Sequence, residues 1–155
     1  MNLAAFDHVF RDAPDREIGK GLRCKVVPPP VLALLKIAAY LDAPQRRRKD
    51  LIDLRRLWQG YERDSERLFS DPVFEANLPD IEFAGAFLLG LDLRAIVTEA
   101  DLLLVETFAA KTLEIDSSNF NPLAADDDWE EREASRFRQQ VGAFLQGLQA
   151  RRSSG

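Results

Sequence analysis

One cysteine and one histidine are all that this chain offers of the residues that most often hold metals or attack substrates. Cys24 has no second thiol for an internal disulfide, which fits a reducing compartment. Cys24 and His8 together supply too few ligands for a zinc site, and His8 without a nucleophilic partner makes no triad. Long apolar runs are also missing. The longest reach about five residues against the ~20 that a bilayer-spanning helix needs, so a membrane-inserted helix is not expected. Net positive charge is absent too, since 21 basic residues face 26 acidic ones and leave −5. Contact with nucleic acid would therefore need a local basic patch. The first residues show no basic start followed by an apolar stretch, as a signal peptide would. A cytoplasmic chain is the expectation.

Ordinary globular composition fills the remainder. Apolar residues make up 46% and charged residues 30%, enough of each to pack a core beneath a charged surface. The 155 residues are read as one domain. Its parts are an N-terminal segment with a hairpin (1–28), a helical region (29–113) and a C-terminal helix (128–150).

Local patterns predict the elements. Phe6, Val9 and Phe10 can line one face of a short helix. Glu17-Ile18, the turn Gly19-Lys20-Gly21 and the alternating stretch from Leu22 to Val27 read as a β-hairpin, with Leu22, Cys24 and Val26 on one face and Cys24 a buried small hydrophobe. Pro28-Pro29-Pro30 ends it, and Pro30 suits the first position of a helix that should stop near Asp42, before Pro44. Leu51, Leu54, Trp58 and Tyr61 form the stripe of the next helix. Ser70-Asp71-Pro72 starts a short segment through Asn77. Asp80 caps a helix carrying Ile81, Ala84, Phe87 and Leu88, with Gly90 at its C-cap and Asp92 capping a further segment to Val97. Thr98-Glu99-Ala100-Asp101 is a capping box for a helix to about Leu113. A polar loop over Ser117 to Asp127 precedes a last helix whose stripe is Phe137, Val141, Phe144 and Leu148. The expected fold class is mainly α (α+β), a short N-terminal hairpin followed by five or more helices. Phe87, Leu88, Leu54, Trp58, Phe137, Phe144 and Leu148 are its expected core.

Lys36 is the residue that points to chemistry. The stretch Val31 to Leu41 is apolar on every side except for this lysine. An ammonium there must reach water, a carboxylate or a phosphate. Lys49-Asp50 and Asp53 follow across a short Asp42-to-Gln45 connection, which makes the two helices antiparallel neighbours. Arg46-Arg47-Arg48-Lys49 puts positive charge at a helix start, where it opposes the dipole unless a phosphate or carboxylate offsets it.

With Met1-Asn2 and Phe6-Asp7, the hairpin, Leu34-Leu35-Lys36 with Ala38-Ala39-Tyr40, then Asp42, Lys49-Asp50, Asp53 and Tyr61, the chain resembles the C-terminal half of a bacterial family. That family comprises predicted nucleotidyltransferases of the abortive-infection, toxin type. The likeness covers about residues 1–70 and loosens through Ala84 to Asp92. It implies that Lys36 meets a triphosphate and that Asp50 and Asp53 position the lysine or face the metals, while the basic run makes Lys49 and Arg46 the candidates for binding the nucleotide. Members of the family hold two metal ions with a Gly-Ser motif and an Asp-x-Asp pair on an N-terminal sheet, neither of which occurs on a strand here. Asp126-Asp127-Asp128 has the spacing but sits in a loop. The resemblance thus implies Mg2+ and NTP as cofactors only together with an N-terminal catalytic polypeptide, no transfer by this chain alone, and an RNA or protein acceptor. Other partners would be a second copy or an antitoxin-like protein. The competing expectation is a non-catalytic helical interaction module, of the kind found in a toxin–antitoxin or phage-defence locus.

Overall fold

The computed structural model describes residues 6–11, 13–113 and 131–150. Helix α1 (Phe6–Arg11) leads into strands β1 (Asp15–Gly19) and β2 (Leu22–Lys25). After them come α2 (Pro29–Asp42), α3 (Arg48–Gly60), α4 (Asp71–Glu75), α5 (Ala84–Arg94), α6 (Glu99–Leu113) and α7 (Glu131–Gln149). Short 3-10 turns at Glu66–Phe69 and Ile81–Phe83 precede α4 and α5. The fold is mainly α, with one antiparallel hairpin and six α-helices after it among the described residues. The loop expected over Ser117 to Asp127, the triple aspartate and the start of the last helix before Glu131 lie outside the described residues.

Helix α5 runs through the middle of the core. Ala84 through Gly90 and Leu93 are buried, on all sides of the helix. Trp58 from α3 stacks against Phe137 and Phe144 of α7, with ring centroids 5.5 and 5.4 Å apart. Tyr40 of α2 meets Phe108 of α6 edge to face at 5.9 Å. All seven residues expected in the core are there.

Gly90 corrects one expectation. It does not cap a helix, and Asp92 does not start another: α5 continues through both to Arg94. Gly90 sits where α7 crosses, and a Cβ there would land on the Phe144 carbonyl oxygen. Gly147 of α7 faces the Phe87 carbonyl in the same way. The glycines are present for a close backbone approach, and the close approach holds Gly90 in the helix.

Pro29 rather than Pro30 is the first residue of α2, behind Pro28 as N-cap. Asp80 caps a 3-10 turn, donated to by the Glu82 amide at 2.9 Å, and Ile81 is exposed there instead of joining a buried stripe. Tyr61 falls one residue past the end of α3, half-buried. Cys24 is only half-buried, because the hairpin lays neither face on the helices.

Candidate functional site

Helices α2 and α3 pack side by side, and Leu34 and Ile37 on the one and Leu51 and Leu54 on the other are fully buried. That packing fixes where Lys36 emerges. Its Nζ donates to Asp50 Oδ1 at 2.9 Å and to Asp53 Oδ2 at 2.7 Å. Asp50 is 3% exposed, and its other oxygen accepts from Arg47 Nε at 2.6 Å. A buried carboxylate is thus bound on both oxygens by cations, the arrangement that burial of a charge requires. Burial of the ammonium pulls the Lys36 pKa down, and the hydrogen bonds to Asp53 and Asp50 outweigh it, leaving Lys36 above the ordinary lysine value.

The three residues that sequence reasoning singled out as a set therefore meet. Lys49 and Arg46 do not join them: both are exposed, and neither has an ion-pair partner among the described residues. Arg47 supplies the contact that was missed. Its signal was its place three residues before Asp50, within reach on one helical turn. No group of three or more His, Cys, Asp or Glu able to hold a metal occurs among the described residues. Asp15 and Glu17 do stand two apart on β1, but in register opposite Lys25 and Arg23.

Two other polar clusters tie distant elements together. His8 and Asp101 are each 1% exposed, and His8 Nε2 lies 2.9 Å from Asp101 Oδ2. Arg11 Nη2 is 2.9 Å from His8 Nδ1 and can only donate, so Nε2 carries the ring proton toward the carboxylate. The expected capping box is formed as well: Thr98 Oγ1 accepts from the Asp101 amide, and the Thr98 amide donates to Asp101 Oδ2 at 2.8 Å. The partner of His8 was invisible because it lies 93 residues away. With both ring nitrogens engaged, His8 offers no free base for catalysis.

The second cluster centres on Asp92. Arg67 grips it through both terminal guanidinium nitrogens, Nη1 and Nη2, at 2.9 and 2.8 Å, and the Tyr61 hydroxyl donates to it at 2.5 Å. Burial raises the pKa of Asp92, but Arg67 and Tyr61 pull it below its ordinary value. Burial likewise raises Asp101, and the Thr98 and His8 contacts bring it below the ordinary value.

These shifts set a pH profile. Asp92 and Asp101 take up protons less readily folded than unfolded, so their stabilisation is present above 3.8 and lost as pH falls through the folded values. Lys36 holds its proton more tightly when folded, so its stabilisation is present below 10.5 and lost as pH rises past it. The urea midpoint should fall below about pH 5 as these carboxylates take up protons, and fall above about pH 10 as Lys36 loses its own. A midpoint that holds level from about pH 5 down to about pH 2 would contradict this assignment.

No known protein-family model matches this chain, and neither curated proteins nor solved structures return a match.

Proposed function

We propose that this chain is the helical portion of a nucleotidyltransferase-like protein, with Lys36 as its triphosphate contact. One observation carries the reading. The Lys36 ammonium has three N–H donors, two of them held by Asp50 and Asp53, on a side chain that is 25% exposed. The third is left for an acceptor such as a phosphate oxygen. The two aspartates act as positioning residues that fix the ammonium between α2 and α3. Around them Lys36, Arg46, Arg47, Arg48 and Lys49 outnumber the carboxylates of Asp42, Asp50 and Asp53, so the region keeps an excess of the positive charge that a triphosphate requires. Metal-assisted attack on the α-phosphate would depend on carboxylates from an N-terminal catalytic half, with an RNA or protein hydroxyl as acceptor.

The chain should accordingly bind magnesium-ATP while incorporating no label from nucleoside triphosphates into bulk RNA. Arg46→Glu/Lys49→Glu should weaken ATP binding about tenfold or more at low salt with the fold unchanged. Absence of saturable binding by fluorescent ATP, or affinity equal in the double variant, counts against the proposal. Robust label incorporation by the chain alone would place the active site elsewhere.

A second reading, a non-catalytic helical interaction module, draws on a different observation. The hairpin keeps Ile18, Leu22 and Val26 exposed instead of laying them on the core.

A further inference from the structure

The hairpin has little support from the helices. β1 and β2 pack mainly against each other. A two-stranded hairpin alone is marginal in water, and a third strand or an apolar cover is what gives such a unit independent stability. Ile18, Leu22 and Val26 are nevertheless 61%, 60% and 41% exposed.

The two outer edges are unequal. On β1 the register slips between Glu17 and Gly19, a bulge at Ile18 that breaks the ladder and twists the strand. Bulged strands with mixed charge, here Asp15, Arg16 and Glu17, are poor templates for a further strand. β2 keeps its alternation from Leu22 onward, and no described strand pairs with its outer edge. Leu22, Cys24 and Val26 lie on one face, Arg23 and Lys25 on the other.

Charge decides what fits there. Antiparallel pairing of β2 with a second copy, centred on Cys24, would put Arg23 opposite Lys25 of the copy at both ends, and like charges directly opposite are destabilising. The hairpin as a whole carries Arg16, Lys20, Arg23 and Lys25 against Asp15 and Glu17, which stand opposite Lys25 and Arg23 and leave two positive charges in excess, on a chain whose net charge is −5. An acidic strand avoids the repulsion and gains attraction.

We propose that the outer edge of β2 receives an extended segment of another polypeptide in which apolar and acidic residues alternate. Its main chain pairs with the β2 edge, its apolar side chains extend the Leu22–Cys24–Val26 face, and its carboxylates meet Arg23 and Lys25. This surface is separate from the α2–α3 corner and does not depend on the triphosphate reading.

The test is titration of the full chain into a labelled peptide of about ten residues alternating valine with glutamate, beside a matched peptide with lysine for glutamate. The glutamate peptide should bind about tenfold tighter or better at low salt, and the Arg23→Glu/Lys25→Glu variant should reverse the preference. Hydrogen exchange should slow at the β2 amides when the peptide is bound. Equal binding of the two peptides, no binding of either, or a preference unchanged by the charge swap overturns the proposal. So does binding abolished only by Arg46→Glu/Lys49→Glu, which would put the peptide on the other basic surface. Concentration-dependent dimers broken by Leu22→Asp would make a second copy the occupant and overturn it equally.

Discussion

Replacing Gly147 with alanine should destabilise the protein by about 3 kcal/mol or more, the upper end of what overpacking a tight core costs. The added methyl would land on the Phe87 carbonyl oxygen, and the Leu91 amide nitrogen lies 2.9 Å from the same point. Both obstacles are backbone of a helix buried on all sides, so neither can swing away as a side chain would. Relief requires α5 and α7 to separate. Gly90→Ala meets the Phe144 carbonyl and should behave alike. Gly142 is the internal control. It lies on the same helix with nothing within 4 Å of a Cβ, so alanine there should stabilise by about 0.5–1 kcal/mol through helix propensity. Urea denaturation of the three variants measures this, and comparable midpoints for Gly147→Ala and Gly142→Ala would contradict the crossing geometry.

Lys36→Ala is the second large effect. Removing the ammonium leaves Asp50, 3% exposed, with one cation instead of two. Stranding a buried carboxylate costs about 3–5 kcal/mol, and the lower end applies because Arg47 remains on the other oxygen. Asp53 is better placed to recover, since its side chain is 27% exposed and water can replace the lysine. Asp53→Ala should therefore cost no more than about 1 kcal/mol, the usual scale for an exposed pair. Denaturation midpoints that rank Asp53→Ala as the more damaging variant would show that the cluster is held together differently.

Much of this architecture was legible because its causes are local. The Thr98 and Asp101 box closes over three residues, and Pro44 ends α2 by removing a donor. Lys36 and its aspartates were legible for a related reason: a short connection between two helices leaves few ways to place them. Gly90 was misread because its role comes from α7, more than fifty residues later, while locally it looks like a cap. Helix α5 offered no corrective signal, since a helix buried all round lacks the one-sided stripe that marks a boundary. The Arg67–Asp92 and His8–Asp101 ties join residues 25 and 93 positions apart, beyond any spacing rule. The hairpin alternation was read correctly, but alternation gives a strand its two faces and says nothing of what covers them.

Stability alone does not distinguish a lysine that holds two helices from one that also binds a phosphate. The direct measurement is magnesium-ATP affinity of Lys36→Met beside the wild type, at a urea concentration of zero and with folding checked by the helical circular dichroism signal. Methionine keeps the length of the side chain and removes the charge, and each folded variant reports its own affinity. Folded Lys36→Met should lose about tenfold or more in ATP affinity, the scale of one charge-assisted hydrogen bond. Unchanged affinity in a folded Lys36→Met protein would contradict the triphosphate reading, and would leave Lys36, Asp50 and Asp53 as a structural tie between α2 and α3.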